Sequence, residues 1–258
     1  GKAKGRSSVA LGHQANANHN NAAAVGYGAS AGYASTAIGE RSKAEKKGST
    51  AIGSQSEAIG VYSTALGREA KAVGNNSIAL GHGATASGNG NAFAGRDTAA
   101  IALGLNSTAS AKDSMALGQD AEATGDDSIA MGHGAIASGK QSISVGTGNV
   151  VSGDNSGAFG DPNIISGTGS YAVGNNNNIA NNNTFVLGNN VGTTQDNSVV
   201  LGHLSTDRAA TTETGITING TNYSYAGKGS ATNGVMSVGF VDGERQIINV
   251  AAGEVSAT

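Results

Sequence analysis

The chain has no cysteine and no tryptophan, and only 4% of its 258 residues are aromatic. The missing cysteine excludes a disulfide scaffold and a thiolate zinc site, and it fits a bacterial surface protein as well as a cytosolic one. The missing bulk excludes a conventional globular core, because the 38% apolar content is largely alanine and 42 residues are glycine. Neither sign of charge dominates. Fifteen Lys and Arg against 18 Asp and Glu leave a net charge of −3, with no basic stripe for nucleic acid. No apolar run reaches membrane-spanning length, and no signal peptide opens the chain. The sequence begins in mid-pattern and ends at Thr258 without an anchor, so it reads as a piece of a longer polypeptide.

What is present is a repeat. The phrase Ser-x-Ala-aliphatic-Gly occurs as Ser49-Thr50-Ala51-Ile52-Gly53, Ser63-Thr64-Ala65-Leu66-Gly67, Ser77-Ile78-Ala79-Leu80-Gly81 and Ser128-Ile129-Ala130-Met131-Gly132. Its closing glycine falls at positions 12, 26, 39, 53, 67, 81, 95, 104, 118, 132, 146, 160, 174, 188 and 202. Every step is fourteen residues except Gly26 to Gly39, one short, and Gly95 to Gly104, which is nine. Low hydrophobicity alone is compatible with disorder, but disordered chains keep no period and no fixed place for each Ile, Leu and Val. A fixed short period means one unit stacked many times.

Each unit carries two short segments with period-two patterning, separated by turns of Gly, Asn and Asp, residues that tolerate positive φ. The first is Ala-x-Ala, as in Ala70-Lys71-Ala72 or Ala121-Glu122-Ala123. Alternation puts Lys71, Glu57 and Glu122 in water and their alanine neighbours inside. The second holds large residues two apart, such as Ile78 and Leu80. Large residues filling the lumen against inward alanines would leave a flat Ser/Ala row outside, including Ser77, Ala79, Ala116 and Ala130, for contact with identical neighbours. The first arrangement is favoured because its volumes are complementary; the opposite one, with the aliphatic row at the subunit contact and alanine in the lumen, stays open. About fifteen coils at ~4.8 Å each make a rod on the order of 70 Å long. So thin a solenoid buries little per subunit, and closed low-order oligomerisation is the expected remedy.

Asn76-Ser77-Ile78-Ala79-Leu80-Gly81, Asp127-Ser128-Ile129-Ala130-Met131-Gly132 and Asn197-Ser198-Val199-Val200-Leu201-Gly202 resemble the head repeat of YadA-like trimeric autotransporter adhesins. The resemblance covers residues 7–202. The run from Val238 to Gly253, through Val241, Asp242, Gly243, Glu244, Arg245, Ile247 and Ile248, is similar to the family's neck. The resemblance implies an all-β, left-handed parallel β-roll that forms a homotrimer, with neck chains wrapping across subunits and Arg245 reaching a neighbour. Residues 1–202 are then the head, 203–234 a transition that includes Tyr223 and Tyr225, and 235–258 the neck before a missing coiled-coil stalk. An outer-membrane anchor is implied in a part of the protein that this sequence lacks.

The remaining motifs favour structure over chemistry. His13, His82, His133 and His203 follow closing glycines, but the same slot holds Glu40, Arg68, Arg96, Gln119 and Asp161, as a solvated turn does. No metal site is expected from them. Asn175 to Asn178 and Asn181 to Asn183 fit either a stacked amide ladder or asparagine-rich turns, and the turn reading is preferred. Asp113, Asp120, Asp126 and Asp127 lack the Gly-Gly-x-Gly-x-Asp pattern of calcium-binding rolls. Glu244 and Arg245 could pair between subunits. No catalytic grouping and no cofactor are expected.

An adhesin head is the first functional reading, and the resemblance implies host partners such as collagen, fibronectin, laminin or cell-surface receptors, bound multivalently. The expected ligand face is the outward row Lys43, Glu57, Lys71, Thr85 and Glu122. A rigid spacer without a ligand is the alternative. An acyltransferase solenoid needs a six-residue period, and an ice-binding solenoid needs a regular Thr-x-Thr row; neither fits.

Overall fold

The computed structural model describes residues 1–88, 99–230 and 232–251. It is an all-β solenoid of two parallel sheets, with no helix among the described residues. One sheet stacks thirteen short strands, from Lys2–Ala3 to Asn177–Ile179. The other stacks fifteen, beginning with Val9–Leu11. Each coil up to Asn177–Ile179 contributes one strand to each sheet, the last rungs extend the long-strand sheet alone, and equivalent residues pair rung to rung, as Thr64 with Ile78 and Leu66 with Leu80.

The fourteen-residue coil closes because its bends use left-handed backbone at fixed places. Gln55, Glu69, Asn76 and Asp113 all sit near φ +55° in the turns. The closing glycines sit beyond the reach of most L-residues: Gly67 at φ +134°, Gly81 at +136° and Gly118 at +135°.

Alternation on the short strand is as expected. Ala70, Ala72, Ala121 and Ala123 are buried, while Lys71 and Glu122 are exposed. On the long strand the favoured assignment is overturned. Ala79 is 0% exposed, whereas Ile78 is 43% and Leu80 37% exposed. Ser77, Ala116 and Ala130 are likewise buried within their own chain. The four residues expected at the subunit contact therefore line the lumen. The physical reason is width. In these alanine-lined coils both sheets point methyl groups and hydroxyls at each other across a narrow tube, which leaves no space for the larger Ile78 and Leu80 side chains. Some of the serines also tie their turns shut: Ser56 Oγ donates to Gly53 O at 2.9 Å and Ser63 Oγ to Gly60 O at 2.8 Å, whereas the buried Ser77, Ser128 and Ser198 hydroxyls make no such bond.

Past Ala137 the lumen changes character. Val151, Ile165, Ile179, Val186 and Val200 form a second buried cluster. Beside them Asn149, Asn163 and Asn177 stack fully buried. Asn163 Nδ2 donates to Asn149 Oδ1 at 3.0 Å, and Asn177 Nδ2 to Asn163 Oδ1 at 2.9 Å. Each amide also donates to a closing-glycine carbonyl, Asn163 to Gly174 O at 2.7 Å. Asn177 thus belongs to an amide ladder rather than to a turn, contrary to the preferred reading, while Asn176 and Asn183 are turn residues at φ 57° and 52°.

The short step is explained by the pairing. Ile78–Leu80 pairs directly with Ile101–Leu103, and Thr85 with Thr108, so Gly81 is followed in the stack by Gly104. Among the described residues fourteen closing glycines of the repeat stack; Gly95 lies outside them. Beyond Gly202 the chain leaves the stack, forms an antiparallel hairpin of Gly215–Ile218 and Thr221–Ser224, and returns. Met236–Ser237 then pairs with Val199–Val200 as one more rung of the long-strand sheet.

Candidate functional site

The expected ligand-facing residues come together. Lys43, Glu57, Lys71, Thr85, Thr108 and Glu122 are successive register partners in one outward column of the short-strand sheet. Four of the five expected residues, Lys43, Glu57, Lys71 and Thr85, line an open groove of about 580 Å³. Its other wall is the neighbouring turn column, Arg41, Gln55, Glu69 and Gly83. Glu122 lies further along the same column, outside the groove.

The groove carries both signs of charge. Lys43 Nζ bonds Glu57 Oε1 at 2.9 Å, and that hydrogen bond, with the carboxylate's charge, holds the Lys43 ammonium above its ordinary pKa. Glu69 is held from outside, by Arg68 at 2.9 Å and His82 at 3.5 Å. Arg41 rests over the Tyr27 ring at 5.7 Å, and Tyr27 stacks on His13 with centroids 5.6 Å apart. Both ring faces are occupied, so this stack braces the turns and offers no platform to a ligand.

The opposite surface is apolar. Leu66, Leu80, Leu103, Leu117, Met131, Val145, Phe159, Val173, Leu187 and Leu201 project from the long-strand sheet at equivalent positions, rung after rung. Leu66, Leu80, Met131, Phe159 and Leu187 are among the exposed large hydrophobic residues. A contiguous stripe of this length on a soluble surface marks a contact face.

His13, His82, His133 and His203 are exposed. Asp113 and Asp126 accept the backbone N–H of Ala99 and Lys112, one coil earlier. Asn75, Asp154, Asn182 and Asp196 do the same for Val61, Lys140, Thr168 and Asn182. Side-chain oxygens thus satisfy turn donors that no strand can reach. Among the described residues, no group of three His, Asp or Glu could hold a metal ion, and no helix is long and apolar enough to cross a membrane.

Arg245 reaches its own chain. Nη1 donates to Ser205 Oγ at 2.9 Å and Val238 O at 2.7 Å, and Nη2 to His203 O at 2.7 Å. It pins the segment from Val238 to Arg245 to the last coil. Glu244 accepts from Asp242 N at 3.2 Å within its own chain. Val241, Ile247, Ile248 and Val250 are each at least 67% exposed, so the described residues 239–251 bury no apolar core of their own within the chain.

The YadA head domain repeat model matches residues 3–29, 30–56, 58–84, 72–94, 98–121, 109–135, 123–149 and 137–161, more than half of the chain. The chain belongs to the YadA head family. It is therefore a head of the surface-adhesin type from a trimeric autotransporter, and the family is known for structural rather than catalytic domains. Among solved structures, the C-terminal YadA-like domain of a Burkholderia pseudomallei protein is similar, with 29% identity and a TM-score of 0.26. The match covers 42% of this YadA-like head and 40% of that domain's chain. No curated protein matches the sequence.

Sequence reasoning missed the last rung of the head. Val235-Met236-Ser237-Val238-Gly239 repeats the phrase with serine in the alanine slot, as Ser142-Ile143-Ser144-Val145-Gly146 does. The signal was available, but the hairpin insertion broke the count before it.

Proposed function

We propose that this YadA-like head attaches a Gram-negative bacterium to host cells or extracellular matrix, with collagen, fibronectin or laminin as ligands. A homotrimer presents three copies of the groove, and the outer membrane holds the fibre through an anchor elsewhere in the protein. The groove lined by Lys43, Glu57, Lys71 and Thr85 is the observation that carries the reading. Its charged walls stand on a rigid ladder and face away from the aliphatic stripe, so assembly through the stripe leaves them open. Weak contacts at three such grooves add through effective concentration. The stripe side chains are already about half covered, so burying the rest of each against a neighbour is worth about 0.5–1.5 kcal/mol, enough over many rungs to hold three narrow rolls together.

The test is binding of the purified head to immobilised collagen, fibronectin and laminin, beside a Lys43→Ser, Glu57→Ser, Lys71→Ser variant. The variant should bind at least tenfold more weakly while melting like the parent. Equal binding would move the site elsewhere. Failure of the parent to bind any matrix protein or cell would favour the spacer reading, which the near-uniform ladder of coils also suits.

A further inference from the structure

Tyr62 breaks the pattern of its own turn. The residue at this slot sits near φ +55° in other coils, where it is Asn21, Asn76, Asp127, Gln141 or Asn155, side chains suited to left-handed backbone. Tyr62 takes the same slot at φ +56°. A bulky aromatic gains nothing from that conformation, and such strain points to a use for the side chain. Its ring lies back on the coil before. A β-carbon on Gly48 would stand 2.5 Å from Tyr62 Cδ1, so glycine there makes room for the ring. Tyr62 is nevertheless 54% exposed.

A second aromatic and two cations gather on the same edge. Gly48 N donates to Tyr33 O at 3.1 Å, and Tyr62 N to Lys47 O at 2.9 Å, so Tyr33, Lys47 and Tyr62 stand on successive coils, about 10 Å from end to end. Tyr33 is 47% exposed. Lys47 Nζ lies 5.9 Å from the Tyr62 ring centroid, and Lys46 beside it is exposed as well. Ser35 Oγ and Ser49 Oγ donate to Lys46 O at 2.5 and 2.7 Å, which fixes the turn that carries both lysines. Among the described residues neither ammonium pairs with a carboxylate. Glu45, next in sequence, acts by its charge on Lys43. The setting is basic too. Residues 1–76 hold nine Lys and Arg against four Asp and Glu, and residues 77–210 hold four against ten.

We propose that Tyr33, Lys46, Lys47 and Tyr62 form a binding site for a carboxylated sugar of an acidic glycan. The apolar C–H face of a pyranose stacks on a tyrosine ring, and the lysine ammonium groups take the carboxylate. A neutral sugar has no use for the lysines, and a bare carboxylate has no use for two rings. The tyrosines here differ from Tyr27, whose ring faces are both occupied. The lysines differ from Lys43, whose ammonium is taken by Glu57. The site is also separate from the groove. The groove is walled by the turn that precedes each short strand, with Arg41, Gln55 and Glu69, whereas Tyr33, Lys47 and Tyr62 lie in the turn that follows it.

The test is binding of the purified head to immobilised sialyllactose, which ends in a sugar acid, and to hyaluronan, which repeats one internally, with lactose as the neutral control. The head should bind at least one acidic surface at least tenfold more tightly than lactose, and added salt should weaken that binding. The surface that binds tells a terminal sugar acid from an internal one. Tyr33→Ser, Lys47→Gln and Tyr62→Asn should each weaken it at least fivefold. Tyr62→Asn separates binding from a structural role, since asparagine is the ordinary occupant of the slot: it should melt no lower than the parent while binding poorly. Binding to neither acidic surface, or equal binding to lactose, would overturn the proposal. Undiminished binding by both tyrosine variants would also overturn it, by reducing the contact to general charge attraction, and a lower melting point for Tyr62→Asn would make the ring a brace. The Lys43→Ser, Glu57→Ser, Lys71→Ser head should bind the sugars like the parent. Loss there would move sugar binding to the groove and overturn the separate site, so this inference and the matrix-protein reading of the groove fail independently.

Discussion

The carbonyl oxygen of Gly132 stands 2.5 Å from the place a β-carbon on Gly118 would occupy, and Gly118 sits at φ +135°. Crowding and conformation therefore require glycine at the same point, and the relationship repeats down the stack. Gly118→Ala is expected to lose about 1–3 kcal/mol from backbone strain alone, with more from the displaced coil, and Gly118→Val more still. Gly134, at φ +61° with nothing near its missing β-carbon, is the control. Gly134→Ala should lose only about 1–2 kcal/mol. Thermal melting of the three variants checks the order; equal losses would remove the crowding argument.

The buried amide ladder gives a second test. Asn163 accepts from Asn177 Nδ2 and from Asn177 N, and donates to Asn149 Oδ1 and Gly174 O. Asn163→Leu leaves donors and acceptors of both neighbours unpaired in the lumen, at about 1–3 kcal/mol for each buried group. Melting should fall accordingly, and the Asn177 amide should exchange faster than amides in the alanine-lined coils.

A third concerns pH. The backbone N–H of Asn182, then the side chain of Asn181, hold the Asp196 carboxyl below its ordinary pKa. A lowered folded value means the stabilising effect is complete above the ordinary carboxylate value and disappears as pH falls through the folded one. The Asn182 amide, corrected for intrinsic exchange, should lose protection over that acid window. Asp196→Ala should lose it at every pH.

Alternation, turn chemistry and the fourteen-residue period were enough to read the solenoid and the outward column of Lys43, Glu57 and Lys71. Alternation could not say which side of Ser77-Ile78-Ala79-Leu80 was inside, because both faces are apolar and the answer depends on lumen width. Nor could it place Asn177, since a buried amide and a turn amide look alike until the rungs are stacked. The surplus residues between Gly81 and Gly104 displaced the count at Gly95, and the hairpin hid the rung at Met236.

Arg245 and the last rung predict where the assembly is weakest. Truncation after Gly202 removes Met236–Ser237, the Arg245 strut and the exposed Val241, Ile247, Ile248 and Val250. It should lower thermal dissociation of the trimer far more than removing an equal length of N-terminal coils. Equal losses would make the tail a passive linker. Arg245→Ala alone should speed proteolysis within residues 239–251 without shifting the melting of the coils.

The central claim is that alanine fills the lumen and the aliphatic row holds the subunits together. Light scattering and circular dichroism on Ile78→Glu/Leu80→Glu, beside Ala79→Glu, test it most directly. The double variant should dissociate to monomers that keep their β signal, since its charges sit on the outer face. Ala79→Glu should unfold the coils around it, because a carboxylate has neither room nor a partner in the lumen. A double variant that stays trimeric with unchanged melting, or an Ala79→Glu protein that folds normally and only dissociates, would contradict the account.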